Sequence, residues 1–327
     1  MKKVVFIYRK SSNDRFSIEN VSNSIIDELK YDNIILNKFE LSDRVHLFFD
    51  IFRLLLLKCD IYVITGDCNY ISFFLSWKKP VVLIAHDIGH FVYTLGGIKK
   101  KIYGFFWWKL PLIVSRKVVC VSENTRQMIT STFTVDKNKL CTIHNSVNKR
   151  FFDIEAKSEL NSIPVILQVG TANYKNILVV IKAIEGIKCK LVIVGSLTSE
   201  EIRLLNIKNI SFKQYQSIEF NQLLELYSLC DIVTFVSIGE GFGLPIIEAQ
   251  AASRPVIVSN LPPMSIIAGE NACLVDPLSF VSVRQAINKV IVNNKYRKFL
   301  IKEGVVNAQK YHPKLKSKDY FDLLSSI

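Results

Sequence analysis

Apolar and polar positions along the chain follow two alternating patterns. Short runs of β-branched and apolar residues are typical of buried strands, and in the first half they occupy 3–8, 61–65, 81–86, 117–121 and 140–144. Stretches with a helical apolar period lie between such runs, as at 18–30 and 123–131. The second half repeats the alternation, with strands at 165–170, 190–195 and 231–237 and helices at 176–187 and 219–228. This spacing predicts parallel sheets joined by right-handed crossovers.

Two such series occur in a chain of 327 residues, which is long enough for two domains that each have a core. We therefore predict an α/β protein in which two Rossmann-like domains face each other across a cleft. The polar segment 152–164 lacks periodicity and is the predicted linker. The first domain is expected over 1–155 and the second over 156–307.

Composition narrows the class of protein. Hydrophobic residues make up 49% and charged residues 22%, as in a globular chain, so disorder is not expected. Lys and Arg outnumber Asp and Glu by 42 to 29, which gives a net charge of +13. Such an excess suits nucleic acid, an anionic membrane or phosphorylated substrates. Because no nucleic-acid-binding signature of the usual kinds occurs, membrane and phosphorylated substrates are the remaining partners.

Cysteine usage and apolar runs bear on location. The seven cysteines include no C-x-x-C pair, and several lie in strand-like runs, as buried thiols of a reducing compartment do. The apolar run 4–8 is too short for a signal peptide, and charges interrupt the apolar region 45–65, so it is not a predicted membrane span. We expect a cytoplasmic location, with attachment to a membrane surface left open.

The most informative stretch is 238–260, where Glu240 and Glu248 are separated by seven residues. An apolar strand precedes it, and Pro245 fits the start of a following helix, so the order is strand, glycine loop, helix. Gly241 and Gly243 would let backbone N–H groups approach a ligand, and a helix N-terminus favours an anion such as a diphosphate. Glu248 is expected in the first helical turn, where it could accept hydrogen bonds from two ribose hydroxyls. Glu240 could face a second substrate. A helix with a favourable acidic first turn explains the same residues without a ligand.

The segment GFGLPIIEAQAASRPVI, with its E-x7-E pattern, resembles the retaining glycosyltransferases of family 4, which have the GT-B fold. LQVGTANYKN at 167–176 is similar to the strand, glycine and Lys-Asn segment of that family, and AGENACLVDP at 268–277 to its closing segment. LIAHDIG and TIHNSVN in the first half are weaker landmarks. The resemblance covers about two thirds of the chain. FSIEN at 16–20 and ITGD at 64–67 are similar to a bacterial subgroup that assembles surface polysaccharides.

The resemblance implies roles for particular residues. Donor-binding residues are implied in the second domain: Gly170, Thr171, Lys175, Gly241, Phe242, Gly243, Leu244 and Glu248. Catalytic roles fall to His86, Glu240 and Lys175, and Asp87 and Asn145 would line the acceptor or sugar pocket. The first domain would bind the acceptor, with the terminal helix 308–327 packing back on it. Many relatives have arginine where Thr171 stands, so Arg254, Lys213 or a backbone donor would have to compensate.

Structural alternatives stand beside two of these roles. Lys175 could be a solvated lysine beside a helix start, and His86 could be a satisfied interior residue at the end of a strand. His86 and His90 also have the spacing of a helical metal site. They follow a strand, and the usual glutamate after the first histidine is absent, so no metal or other cofactor is expected.

The implied function is transfer of a sugar from a UDP- or GDP-sugar to a glycan or lipid-linked acceptor, with retention at the anomeric carbon, in lipopolysaccharide, O-antigen or capsule synthesis. A catalytically silent scaffold that binds a sugar or nucleotide is the alternative. A Rossmann oxidoreductase is disfavoured, because the first domain lacks G-x-G-x-x-G after a strand.

A basic and aromatic cluster in the first half suggests a membrane partner. Lys99 to Lys101 precede the aromatic run 103–108, and Lys109 follows it. Aromatic rings favour the headgroup boundary, and lysines are attracted to an anionic leaflet, so peripheral attachment to the inner face of the plasma membrane is one interpretation. Packing of the aromatic residues in the core is the other.

Overall fold

A computed structural model describes residues 1–9, 17–29, 34–42, 44–89, 91–92, 95–157 and 159–327. His90 and most of the segment between the first strand and the first helix, which includes Phe16, lie outside these residues. The described strands are β1 (Lys2–Tyr8), β2 (Ile34–Glu40), β3 (Ile61–Ile64), β4 (Val81–Ala85), β5 (Lys117–Cys120), β6 (Leu140–Thr142), β7 (Val165–Val169), β8 (Lys190–Val194), β9 (Ser211–Tyr215), β10 (Ile232–Phe235), β11 (Val256–Ser259) and β12 (Cys273–Val275).

Helices connect the strands in both halves. The α-helices are α1 (Ser17–Glu28), α2 (Leu47–Leu56), α3 (Ser72–Leu75), α4 (Gly97–Tyr103), α5 (Leu110–Val114), α6 (Glu123–Thr132), α7 (Ile177–Ile184), α8 (Ser199–Ile207), α9 (Phe220–Leu229), α10 (Leu244–Ala251), α11 (Met264–Ala268), α12 (Phe280–Val292), α13 (Asn294–Gln309) and α14 (Pro313–Ser325). A π-helix, Gly104–Lys109, joins α4 to α5, and a 3₁₀ turn, Asn173–Lys175, precedes α7. Within the described residues, no helix is both long and apolar enough to cross a bilayer.

The first compact unit consists of residues 1–146 and 313–327. Its sheet has the order β2-β1-β3-β4-β5-β6, and neighbouring strands pair in parallel. Strands β3 and β4 are buried along their whole length, as their continuous β-branched runs predict. Helix α14 packs against α1, and Lys2 Nζ donates a hydrogen bond to the Leu324 carbonyl at 3.2 Å. The terminal helix is therefore part of the first unit.

The second compact unit consists of residues 147–312. Its parallel sheet has the order β12-β11-β10-β7-β8-β9, and α7 and α12 pack together on its core. The chain builds outward from β7 through β8 to β9 and then returns to the other side of β7 with β10, so the strand order reverses between β7 and β10. Two six-stranded parallel sheets with helices confirm the predicted fold class. The units divide after Ser146 and His312, whereas the sequence suggested divisions near 155 and 307.

The segment 152–164 has no regular secondary structure among its described residues, but it is fixed to the second unit by one buried carboxylate. Asp231 accepts hydrogen bonds from the backbone N–H of Asn161 at 3.1 Å and of Val165 at 2.7 Å. The side-chain amide of Asn161 donates a third at 2.8 Å, and Lys157 Nζ lies 2.7 Å from Asp231 Oδ1. The segment is therefore anchored to the start of β10 and does not act as a free linker.

We predict that Asp231→Ala destabilises the second unit by about 3 kcal/mol or more, because Lys157 and two backbone N–H groups lose their partner. Urea unfolding monitored by circular dichroism measures the change. Asp153→Ala, at an exposed aspartate of the same segment, is the matched control and should leave the midpoint unchanged. Equal midpoints for Asp231→Ala and the native protein would contradict the anchoring role.

Candidate active site

The candidate site of the second unit lies where its strand order reverses. In open α/β sheets, ligands bind beyond the carboxyl ends of strands at such a reversal. The loop after β7 carries Gly170, Thr171 and Lys175, and the loop after β10 carries Glu240. Because β7 and β10 are paired neighbours, their loops leave the same edge of the sheet side by side.

Lys175 and Glu240 meet at this edge. Lys175 Nζ lies 2.7 Å from Glu240 Oε1, and both side chains are largely buried, with exposed fractions of 14% and 12%. The ammonium also lies over the Phe235 ring, 4.5 Å from its centroid. The ammonium and the carboxylate therefore form a close ion pair at the carboxyl edge of the sheet. The lysine is therefore a paired, positioned cation and not the solvated side chain of the structural alternative.

Glycine at 170 is required by both backbone and packing. Gly170 has a φ of +90°, in the region that favours glycine. A Cβ there would lie 2.9 Å from Lys175 Cε, so a side chain would push the lysine away from its position. A substitution at Gly170 would thus strain the loop and displace the ammonium together.

Buried polar side chains hold the two loops together. The Gln168 amide donates to the carbonyl oxygens of Gly170 at 3.4 Å and Lys175 at 3.3 Å, and its oxygen accepts from Thr234 Oγ1 at 2.8 Å. Asn176, at a φ of +59°, donates to the carbonyl oxygens of Val236 and Pro277. Sequence reasoning missed Gln168 and Thr234, whose signal was a polar residue inside each of two otherwise apolar strands.

Glu248 lies deeper in the helix than predicted. Helix α10 begins at Leu244, so Glu248 is its fifth residue, and the prediction of a first-turn carboxylate was wrong. Tyr227 donates its hydroxyl to Glu248 Oε2 at 2.8 Å. Burial raises the pKa of Glu248 to about 7, although the Tyr227 hydrogen bond and the positive charge of Lys175 oppose that rise. Tyr227 is fully buried and was not identified from the sequence.

The glycine loop offers backbone groups more than side chains. Gly243 has a φ of +105° and precedes α10, and a Cβ there would lie 2.9 Å from Ile246 Cδ1. Gly241 is buried, and the Phe242 side chain is buried edge-to-face against Tyr311 with ring centroids 5.8 Å apart. Leu244 is half-buried. Any donor contact by this loop would therefore be made through N–H groups.

The candidates for replacing the missing arginine have different surroundings. Arg254 is buried, and its guanidinium donates to five carbonyl oxygens, those of Glu155, Ser228, Cys230, Ala252 and Ser253. It is therefore a structural residue, and the idea that it supplies a second charge to a diphosphate was wrong. Lys213 is exposed on β9, with its ammonium 4.6 Å from the centroid of the Tyr215 ring. Thr171 packs against Gly195, where a Cβ would lie 2.6 Å from Thr171 Oγ1.

In the first unit, His86 follows β4 and lies beside the end of β3. Its Nε2 is 2.9 Å from Thr65 Oγ1, which in turn is 3.2 Å from Ser22 Oγ. Burial, reinforced by the positive charge of Arg9, lowers the pKa of His86 to about 4. The imidazole is therefore neutral at neutral pH, with one ring nitrogen as a donor and the other as an acceptor.

The other predicted residues of the first unit differ in exposure. Asp87 is exposed, and its Oδ1 accepts a hydrogen bond from the Gly89 N–H at 2.6 Å. Nearby, the Tyr103 hydroxyl donates to Asp67 Oδ1 at 3.2 Å, a contact that sequence reasoning missed. Asn145 is buried after β6. Across the described residues, no three His, Cys, Asp or Glu side chains are grouped to hold a metal ion. That the reaction needs no metal stays a prediction.

Comparison with known proteins identifies the family. The sequence model of "Glycosyltransferase Family 4" matches residues 6–151, and that of "Glycosyl transferases group 1" matches residues 150–305. The chain belongs to these glycosyltransferases. The family resemblance predicted from the E-x7-E segment is thereby confirmed.

Curated relatives agree with this placement. The chain is 34% identical to the O-antigen chain mannosyltransferase RfbU of Salmonella typhimurium over 64% of its own length. It is 24% identical, over 65% of its length, to the capsular polysaccharide biosynthesis glycosyltransferase CapM of Staphylococcus aureus. The matched regions span 60% of the first protein and 64% of the second.

Solved structures share the fold over the whole chain. Anabaena HepE, determined in complex with UDP and glucose, is 12% identical, covers 100% of both chains and superposes with a TM-score of 0.82. A glycosyltransferase from Rickettsia africae is 18% identical, covers 98% of this chain and 97% of its own, and has a TM-score of 0.74. At these identities the likeness shows the fold alone, and it agrees with the GT-B prediction.

The raised pKa of Glu248 generates a prediction about nucleotide-sugar binding. Ribose hydroxyls would donate to the charged carboxylate, so binding should release a proton below about pH 7. Affinity for a UDP- or GDP-sugar should rise with pH and level off above that value. Calorimetry in buffers of different ionisation enthalpy measures the released proton.

Two variants sharpen this test. Glu248→Gln should weaken binding and abolish the proton release. Tyr227→Phe should move the pH step upward, because the Tyr227 hydrogen bond lowers the Glu248 pKa. Binding that keeps the native pH dependence in Glu248→Gln would show that another group titrates.

The His86 surroundings predict an imidazole that stays neutral in mildly acidic solution. The ring should titrate with a pKa of about 4, and Arg9→Gln should raise that value by removing a nearby positive charge. NMR of the imidazole C–H signals, assigned with His86→Gln, measures both. Arg116→Gln, at an exposed arginine before β5, is the matched control. A His86 ring that titrates near 6.5 would contradict this prediction.

Proposed function

We propose that this protein transfers a sugar from a UDP- or GDP-sugar to a glycan or lipid-linked acceptor, with retention at the anomeric carbon. The observation that carries the proposal is the Lys175 and Glu240 pair beside Glu248, at the strand reversal of the second sheet. The family membership supports transfer, and the complex of Anabaena HepE with UDP-glucose supports a nucleotide-sugar donor.

In this proposal the second unit holds the donor. Glu248 would accept ribose hydroxyls, and Lys175 would face the diphosphate, where an ammonium is a compact counter-charge. The backbone N–H groups of the glycine loop, including those of Gly241 and Gly243, would add donors near the α10 N-terminus. Glu240 would position hydroxyls of the transferred sugar. Its place beside Lys175 at the strand reversal supports that role.

The chemistry then depends on stabilising the departing nucleotide. The bond between the anomeric carbon and the diphosphate oxygen breaks, while an acceptor oxygen bonds to that carbon on the same face. The acceptor proton goes to an oxygen of the leaving phosphate. Negative charge on the diphosphate grows during this step, so Lys175 contributes more in the transition state than in the ground state.

The first unit is proposed to bind the acceptor through residues at the ends of its strands. Neutral His86 would make one directed hydrogen bond to a hydroxyl, with Thr65 fixing the ring. Exposed Asp87 could accept from a sugar hydroxyl, and Asn145 would support the pocket. The names of the O-antigen and capsular relatives support an acceptor in cell-surface polysaccharide synthesis. We place the reaction in the cytoplasm, with peripheral attachment to the inner face of the plasma membrane.

Incubation with a panel of UDP- and GDP-sugars and candidate acceptors, with release of nucleotide as the readout, tests the proposal. One donor should release nucleotide faster with acceptor, and NMR of the product should show the donor's anomeric configuration. Binding of a donor without turnover on any acceptor would favour the silent scaffold. An inverted product would overturn the retaining mechanism.

We predict that Lys175→Ala lowers turnover about 100-fold or more, because the leaving diphosphate loses its counter-charge. The variant should also lose stability, since Glu240 remains largely buried without its cation. Lys175→Ala combined with Glu240→Gln should recover the thermal midpoint but not the turnover. Lys188→Ala, at an exposed lysine of the same unit, is the control. Turnover restored along with stability would show that Lys175 is structural.

A further inference from the structure

Helix α2 in the first unit presents its apolar side to solvent. Phe48, Phe52 and Leu56 are 77%, 55% and 65% exposed in the complete chain. The buried residues of the helix are Asp50 and Leu54, spaced one turn apart. An amphipathic surface helix ordinarily buries its apolar stripe and exposes its charges. In α2 the Asp50 carboxylate points inward, while four of the eight large apolar side chains, namely Phe48, Phe49, Phe52 and Leu56, are exposed.

Hydrogen bonds fix that orientation. Asp50 is 1% exposed, and its Oδ2 accepts from the Ser42 backbone N–H at 2.6 Å. Its Oδ1 is 3.2 Å from Ser42 Oγ, and Tyr62 donates its hydroxyl to the Leu54 carbonyl at 2.6 Å. Rotation of α2 to bury the phenylalanines would expose Leu54 and break the bonds to Asp50. The exposed apolar side is therefore a built feature of the unit.

Neighbouring elements also carry exposed apolar side chains. Helix α2 packs against α3, and α3 packs against α5, which follows the π-helix. Trp77, just after α3, is 83% exposed, and Phe106 and Ile113 are 49% and 54% exposed. We call the exposed apolar side chains of α2, α3, the π-helix and α5, together with Trp77, the apolar face. Exposed apolar patches of this kind mark interaction sites.

The aromatic run 103–108 divides between core and surface. Trp108 is buried, and Tyr103 stacks on Trp107 with ring centroids 5.0 Å apart, so these residues match the core interpretation. Phe105 and Phe106 remain exposed and belong to the apolar face. The run thus anchors one part of the surface to the core while presenting another part outward.

Basic side chains predominate around the apolar face, although Lys79 lies 3.9 Å from the exposed Asp60. The stretches 47–58, 72–79 and 97–114 contain Asp50 as their single acidic residue, and it is buried. The same stretches contain eight basic residues, namely Arg53, Lys58, Lys78, Lys79, Lys99, Lys100, Lys101 and Lys109. A second copy of this chain would bring the same positive charge to the contact. An anionic bilayer offers both an apolar interior and the complementary charge.

We propose that the apolar face docks on an anionic membrane, with the apolar side chains of α2 and Trp77 entering the interface and the surrounding lysines meeting acidic headgroups. Large apolar and aromatic residues beside lysines are the composition of helices that lie in the interface plane. The inference does not depend on sugar transfer, because it rests on exposure and charge in the first unit.

Flotation of the full chain with vesicles of phosphatidylcholine and phosphatidylglycerol tests the proposal. Binding should be strong at low salt, fall as salt screens the lysines, and be weak with phosphatidylcholine alone. Phe48→Ser with Phe52→Ser should lower the partition coefficient about tenfold or more. Leu278→Ser with Val292→Ser, at side chains of the second unit that are 80% and 81% exposed, is the matched control.

The lysine contribution has its own variants. Lys99→Gln with Lys101→Gln should lower the partition coefficient by about fivefold for each lysine removed. Lys295→Gln with Lys298→Gln, at exposed lysines of α13, should leave it unchanged. Nucleotide release from a donor without vesicles should be native in all four double variants, which separates loss of docking from loss of the proposed transfer.

The fluorescence of Trp77 can report how deeply the apolar face enters the bilayer. The chain has three tryptophans, and Trp77 is the one that lies on the apolar face. Brominated acyl chains should quench its emission, and Trp77→Phe should remove that quenching. Absence of vesicle binding at low salt, or equal binding by Phe48→Ser with Phe52→Ser and its control, would overturn the proposal. A dimer that forms without lipid and is abolished by Phe48→Ser with Phe52→Ser would also overturn it, because a second copy of the chain would then cover the apolar face.

Discussion

Pairing between β7 and β10 is the constraint on which the candidate donor site depends. The two strands are far apart in sequence, yet their parallel register brings the loops after them to one edge of the sheet. The Ile238 N–H donates to the Tyr174 carbonyl at 2.8 Å, which ties those loops together directly. Lys175 and Glu240 can then form a largely buried ion pair at 2.7 Å. Without the strand reversal, neither side chain would have a partner, and each would carry the cost of a buried charge.

Burial at this edge adjusts the chemistry of the acidic residues. Glu240 faces a cation, whereas Glu248 is half-buried and receives a hydrogen bond from Tyr227. Two carboxyls in one site therefore have different surroundings, and the pKa of Glu248 is raised to about 7. Environments that separate similar groups in this way allow different roles in a reaction. Tyr227 lies on α9, before β10, so the helix as well as the loops shapes the site.

Sequence patterns predicted the parts of the fold that depend on residues close together in the chain. Buried strands such as β3 and β4 have continuous apolar runs, and they were found nearly to the residue. Edge strands β2 and β9 were not among the predicted strands, because most of their residues are half-buried or exposed and the apolar run is broken. The turn that holds Glu248 was misplaced, since Pro245 is the second residue of α10 and the carboxylate comes three residues later.

Tertiary contacts explain the remaining misses at the site. Gln168, Tyr227 and Thr234 are polar residues within apolar patterns, and no local spacing indicates which partner each will meet. Arg254 has a side chain suited to binding phosphate, but its guanidinium donates hydrogen bonds to five carbonyl oxygens within the core. A basic residue near a predicted loop therefore indicates available charge, whereas its burial and partners decide whether a ligand can reach that charge.

The same reasoning applies to the apolar region 45–65, in which charges rule out a membrane span. Helical geometry separates those charges, because Asp50 lies on the inward side of α2 while Arg53 is exposed. One buried carboxylate, bonded to Ser42, thereby determines which side of the helix faces outward. Full burial of a large apolar side chain stabilises a protein or complex by about 1.5–3 kcal/mol relative to exposure. Leaving several such side chains exposed is therefore costly unless a partner covers them. Asp50, one of the charges that interrupt this apolar region, thus orients α2 to lie on a bilayer in the proposed docking.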